Sequence, residues 1–200
     1  MIGSYTTTTS VLLEGLHDPA NDSVWREFDG RYRPIIVGFA QRLGLTPADA
    51  ADAAQETMVQ FLRDYRAGKY ERGRGRLRSW IIGIARHRVA DLHRRKAARK
   101  EWRGVSAIAE LPDEQGLTEI WDAECQRAIL AAAFAELEGQ SRLNARTIQA
   151  FKLQAVDQTP PAEIAATLGM SLRAVYLAKH RCLGRLREIM STLTAAYETA

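Results

Sequence analysis

Residues 161–180 read PAEIAATLGMSLRAVYLAKH, and their spacing is that of two short helices joined by a tight turn. A small residue, Ala165, stands where two crossing helices touch. Gly169 follows four positions later, where the turn needs a left-handed backbone that glycine adopts at least cost. Ile164, Leu168, Met170, Val175 and Ala178 fall where they bury the pair against its neighbours. Ser171, Arg173, Tyr176, Leu177 and His180 then face outward on the second helix, with Lys179 and Arg181 beside them. A helix-turn-helix of this kind lays the start of its second helix in the major groove. Ser171 and Arg173 are therefore expected at base edges and the later basic groups at phosphates. The motif implies DNA but not which sequence is read.

A second basic segment lies upstream, where residues 66–100 read RAGKYERGRGRLRSWIIGIARHRVADLHRRKAARK. Residues 63–103 carry 15 basic and 4 acidic groups, net +11, in a chain whose whole formal charge is only +4. Residues 1–62 are net −4, residues 104–140 net −7 and residues 141–190 net +5. Two basic blocks separated by an acidic one imply two anion-binding surfaces and a spacer that avoids them. Arginines interleaved with aromatics suit single-stranded nucleic acid, because bases stack on rings while guanidinium groups follow phosphates. Gly68, Gly73 and Gly75 make residues 67–75 a loop, although neither a P-loop nor a GxGxxG pattern is completed there. Tyr70 in that loop lies beside the helix that carries Trp80, so loop and helix together are placed to hold an unstacked base.

The rest of the chain reads as helix, without β alternation or hairpin dipeptides between apolar runs. The spacing predicts a helix over 8–17, then one over 23–43 with Val24, Trp25, Phe28, Tyr32, Ile35, Ile36 and Phe39 inward and a disturbance at Pro34. Gly44 ends it, and Thr46-Pro47-Ala48-Asp49 opens a helix to about Arg66 with a capping threonine and proline at its first position. Ala50, Ala54, Met58, Phe61, Leu62 and Tyr65 form its buried side, and Asp49, Asp52, Gln55, Glu56 and Gln60 an acidic strip elsewhere on the cylinder. A long helix over 76–99 is expected to turn Leu77, Trp80, Ile81, Ile84 and Leu92 inward and Arg78, Arg86, Arg94 and Arg95 outward. Residues 104–119, GVSAIAELPDEQGLTE, lack periodicity and read as an acidic linker, with helix resuming at Ile120. The expected architecture is thus all-α, with two small helical domains, residues 1–103 and 120–200, joined by a flexible linker.

Several function classes are poorly supported. A hydrophobic fraction of 46% with 26% charged residues is that of an ordinary globular chain, and no apolar run approaches membrane-spanning length. The opening MIGSYTTTTSVLLEG has neither a basic flank nor a long apolar stretch, so no secretory signal is expected and the cytoplasm is the default compartment. Cys125 and Cys182 are isolated, which supports neither a disulfide framework nor a zinc site. The four histidines are dispersed and no acidic cluster has metal-site spacing, so no enzyme, metal, cofactor or small-molecule substrate is expected. A helix-turn-helix regulator that binds duplex operator DNA as a dimer is the alternative that these residues leave open.

Two stretches carry a more specific likeness. Residues 25–95, with DAADAAQE at 49–56 and GRLRSWI at 75–81, resemble region 2 of bacterial extracytoplasmic-function (ECF) sigma factors of the sigma-70 family, and residues 157–188 resemble their region 4. The resemblance implies a bacterial, nucleoid-associated protein that binds core RNA polymerase, recognises the minus-10 and minus-35 promoter elements and helps to melt DNA. On it, Asp49, Asp52, Gln55 and Glu56 would dock on the clamp helices of the largest polymerase subunit. The 66–76 loop, with Lys69, Tyr70, Arg72 and Arg74, would hold a flipped minus-10 base. Arg76, Arg78, Trp80, His87 and Arg88 would line the path of the separated strand and flanking duplex. The recognition helix would read minus-35 and region 4 would lie on the polymerase flap, while the acidic linker would thread the basic RNA path. An anti-sigma factor is implied as a partner. His87 stands where family members commonly carry asparagine, and the 66–76 loop is richer in arginine than is usual for the family.

Overall fold

In a computed structural model, the described residues are 9–70, 76–98, 111–140 and 143–198, and they form eight helices and no strand. The helices are α1 (Thr9–Gly15), α2 (Asp22–Arg42), α3 (Pro47–Arg66), α4 (Leu77–Ala98), α5 (Glu114–Gln140), α6 (Ala145–Ala155), α7 (Pro161–Leu168) and α8 (Leu172–Glu198). The all-α expectation therefore holds. Contacts divide the chain into two compact units, one built on residues 7–128 and the other on residues 129–196, so the division falls within α5.

In the first unit α2 packs on α3 and α3 on α4. Phe28, Tyr32, Ile35, Ile36 and Phe39 of α2 meet Met58, Phe61 and Tyr65 of α3, and Leu77, Ile81 and Val89 of α4 complete the core. Ala50, Ala53 and Ala54 are small enough to bring α3 close to its neighbours. Phe61 is fully buried and lies between rings, 4.9 Å from Phe28 and 5.2 Å from Trp80. Burying each such large apolar side chain contributes about 1.5–3 kcal/mol, which is why one face of each helix suffices to hold the bundle.

The local punctuation follows the sequence. Gly44 adopts φ +91° just after α2, and the Thr46 hydroxyl accepts from the Asp49 amide while Pro47 opens α3. Pro34 does not interrupt α2, which runs unbroken from Asp22 to Arg42. Pro34 and Gly30, whose carbonyl loses its donor, are both exposed, so the carbonyl without a helical partner is open to solvent. The inward stripe of α4 is also shifted: Trp80, Ile84 and Leu92 are only half-buried, whereas Ile82, Ala85 and Val89 join Leu77 and Ile81 in the core.

The largest departure is at α5. It begins at Glu114, inside the stretch expected to be linker and ahead of the expected start at Ile120. The Asp113 carboxylate accepts from the Gly116 amide at 2.9 Å, giving the helix a side-chain cap after Pro112. Leu117 and Trp121 are then buried in the first unit's core, with the Trp121 ring edge-on to Phe39 at 5.9 Å. Tertiary burial thus extends a helix through residues whose own composition favours a loop. Residues 104–110 of the expected linker lie outside the described residues.

In the second unit Ala150, Ile164, Val175 and Ala178 form a small core with Leu153, Ala165, Leu168 and Met170 against it. Gly169 takes φ +60°, ψ +42° between α7 and α8, and Met170 donates its amide back to the Ala165 carbonyl at 2.9 Å. This is the glycine-hinged helix pair that residues 161–180 predict.

Candidate functional surfaces

The exposed side of early α8 is the clearest candidate surface of the second unit. Ser171 caps the helix by accepting the Ala174 amide at 3.1 Å, so its side chain has a structural task at the helix tip. Val175, Ala178 and Cys182 turn inward, which leaves Arg173, Tyr176, Leu177, Lys179, His180 and Arg181 exposed along with Ser171. Tyr176 and Leu177 are large apolar residues 53% and 44% exposed, an arrangement that a solvated helix face has no need for. Arginine, lysine, hydroxyl and apolar groups on one face are the set that meets phosphates, base edges and thymine methyl groups.

In the first unit the α3 strip and α4 face each other more intimately than sequence spacing discloses. Asp52, Gln55 and Glu56 are exposed, together with Val59 one turn on. Asp49 is not free: Lys96 of α4 and the Thr46 hydroxyl both donate to its carboxylate, and these bonds hold its pKa below the usual 3.8. Glu56 Oε2 lies 3.7 Å from Arg88, whose other guanidinium nitrogen donates to Gln60 at 3.2 Å. One arginine assigned to nucleic acid therefore leans on the strip assigned to polymerase.

Around the loop, Lys69 is exposed and pairs with Asp64 at 2.7 Å. Tyr70 is half-buried, with its ring stacked on Trp80 at 5.1 Å and 17° between planes. The pair that sequence spacing brings together is thus already in contact, each ring partly covered by the other. Arg76 and His87 are exposed, whereas Arg72 and Arg74 lie outside the described residues.

Arg78 is half-buried instead of projecting freely. Its guanidinium donates to both oxygens of Asp122 on α5, at 2.8 and 3.2 Å. Two residues along, Glu124 is buried against bare backbone at Gly38, where a Cβ would come within 2.2 Å of its Oε2. Arg42 and Arg127 donate to its Oε1 at 3.2 and 2.6 Å. Asp122 and Glu124 are functional candidates that sequence reasoning missed. Their only sequence signal is the acidic block, which gives their sign but not their partners. Nearby, burial pushes the Cys125 thiol up to about 11, with Asp122 adding to the rise and Arg78 opposing it, so it stays protonated at neutral pH. Among the described residues no cluster of histidine, cysteine and carboxylate groups is arranged to hold a metal, and no helix is long and apolar enough to cross a membrane.

Comparison with known proteins gives these surfaces a context. Residues 29–99 match the family model described as Sigma-70 region 2. The chain is 32% identical over 162 residues to the ECF RNA polymerase sigma factor SigD of Mycobacterium tuberculosis, covering 79% of this chain and 69% of that protein. It is 31% identical over 171 residues to the RNA polymerase sigma-E factor of Streptomyces avermitilis, covering 82% and 83%. The ferric citrate uptake sigma factor FecI of Escherichia coli K12 is 31% identical over 176 residues, covering 87% and 89%. Among solved structures, CnrH in complex with the cytosolic domain of CnrY aligns with 90% of this chain and 96% of its own at 20% identity and a TM-score of 0.36, too loose a match to bear on geometry.

Proposed function

The chain belongs to the extracytoplasmic-function family of RNA polymerase sigma factors, which direct transcription initiation at promoters, and from that premise we propose how its parts divide the work. Residues 1–103 bind core polymerase and act on the minus-10 element. Asp52, Gln55 and Glu56 dock on the clamp helices of the largest subunit, with Asp49 holding the α3 tip to α4 through Lys96. Lys69, Tyr70, Arg72, Arg74, Arg76, Arg78, Trp80, His87 and Arg88 serve the flipped base and the separated strand. Of the 120–200 stretch, the part from residue 129 onward recognises minus-35 through α8 and lies on the polymerase flap, while the start of α5 belongs with the first unit. Of the 104–119 stretch, the part ahead of Glu114 is left for the linking role along the RNA path. The protein works where polymerase and promoter meet, in the bacterial cytoplasm at the nucleoid, without chemistry of its own, and an anti-sigma factor is the regulator that the family suggests.

The observation that carries this division is the exposed face of early α8, where base- and phosphate-seeking groups lie over a buried Val175–Ala178–Cys182 seam. The test is transcription in vitro with core polymerase on a genomic promoter library, paired with gel shifts with and without core. Promoter-selective initiation that needs both partners supports the proposal. Tight duplex binding by the chain alone, with no gain from polymerase, would overturn it in favour of a dimeric operator-binding regulator.

A further inference from the structure

The residues proposed to follow the separated strand include one whose guanidinium is already satisfied by a carboxylate of the same chain. Arg78 donates through Nη1 to both oxygens of Asp122, at 2.8 and 3.2 Å, a charge-assisted contact of the kind that a phosphate oxygen also makes with arginine. Asp122 is not a wandering surface acid. Trp121 beside it is buried on Phe39, and Glu124 two residues on sits in the Gly38 notch with Arg42 and Arg127 on its carboxylate. These anchors fix the first turns of α5, so the carboxylate is delivered to α4 without an ordering cost each time it closes. The Arg78 and Asp122 side chains remain 37% and 49% exposed, so the pair sits in water and can be exchanged.

We propose that the first half of α5 is an intramolecular brake on nucleic-acid binding: in the free chain Asp122 occupies Arg78 as a phosphate stand-in, and a DNA strand must displace it. The acidic block is then an internal competitor for the basic helix as well as a spacer. This rests on the assignment of Arg78 to the nucleic-acid path, and the experiment separates the two.

The probe is a fluorescein-labelled oligothymidylate titrated with the full chain, without polymerase, and followed by anisotropy at low salt. Asp122→Asn keeps the side-chain shape and removes the charge, and it should tighten binding by about two- to fivefold, the range open to an exposed ion pair. In an Arg78→Ala background the same change should do nothing. Glu119→Gln removes an exposed acid from the same helix and should have a much smaller effect. Equal gains from Asp122→Asn and Glu119→Gln would assign the effect to net charge and overturn the brake. So would an unchanged affinity for Asp122→Asn while Arg78→Ala impairs open-complex formation with polymerase; that outcome leaves the Arg78 assignment standing. If Arg78→Ala alters neither open-complex formation nor the affinity of the Asp122→Asn chain, the assignment itself fails. Thermal melts of each variant show that the compared chains are folded.

Discussion

Gly169 and Gly184 offer the same substitution with opposite expected signs. Gly169 sits at φ +60° in the turn between α7 and α8, and a Cβ built on it meets nothing within 4 Å. Steric collision is therefore excluded, and any cost of Gly169→Ala is that of forcing an L-residue into a left-handed backbone, about 1–2 kcal/mol. Alanine also narrows the unfolded ensemble, which offsets about 0.4–1 kcal/mol, leaving a net destabilisation of about 1 kcal/mol. Gly184 lies inside α8, again with open space around a built Cβ but without a positive φ. Gly184→Ala should stabilise the helix by about 0.5–1 kcal/mol. The gap between the two variants is then about 1.5–2 kcal/mol. For a domain of this size 1 kcal/mol corresponds to about 4–8 °C in melting temperature, so the separation is well within reach of calorimetry. Urea titration gives the same comparison isothermally. A Gly169→Ala protein as stable as the parent would refute the left-handed turn, and with it the relative placement of the recognition helix. Gly169→Asn should fall between parent and alanine, because asparagine tolerates this region better.

Phe61→Ala removes a fully buried ring that lies face-on to Phe28 and edge-on to Trp80, and it should destabilise the first unit by about 3–5 kcal/mol, measured by chemical denaturation. Reversing Asp52 and Glu56 to Lys should weaken polymerase pull-down while leaving stability within about 0.5 kcal/mol, since both are exposed and the Glu56–Arg88 contact is long; a folding defect of several kcal/mol would contradict that placement. Arg173→Ala should weaken recognition of the upstream promoter element by about 1–3 kcal/mol if its guanidinium grips a base in bidentate fashion, as read by competition gel shift with polymerase present. The depressed Asp49 pKa makes its contribution to stability full above the unfolded value near 3.8 and lost as pH falls through the lower folded value. Asp49→Asn should therefore flatten the acid limb of the stability–pH curve, and an unaltered slope below pH 3.8 would refute the Lys96 bond.

The features readable from sequence are those whose causes lie within a few residues. Thr46 capping Asp49, Pro47 opening α3, Gly44 closing α2 and Gly169 between α7 and α8 each act through their own backbone, and each stands where spacing places it. The buried face of the helix-turn-helix was legible because Ile164, Val175 and Ala178 obey one local period. The start of α5 was not, because Pro112, Gly116 and the surrounding acids resemble a linker and only the distant Phe39 rewards Trp121 for being helical. The Arg78–Asp122 pair spans 44 residues, and Arg88 and Glu56 meet across two helices, so a count of charges could give the balance but not the pairing. For the same reason Arg78 was expected to project outward, although Asp122 holds it.

The ring column that runs from Phe28 through Phe61 and Trp80 to Tyr70 has a thermodynamic consequence for any base held there. Trp80 has a stacking partner before any nucleotide arrives, so a base that enters on its face performs an exchange and not an addition. An aromatic pair is worth about 0.5–1.5 kcal/mol beyond its area, and what is gained is only the surplus of the new stack over the old. Such a seat responds to differences between bases more than to their presence. On the assignment of Trp80 proposed above, selectivity at that face would rest on the difference between two stacks, with Phe61 buried beneath Trp80 in the first unit's core.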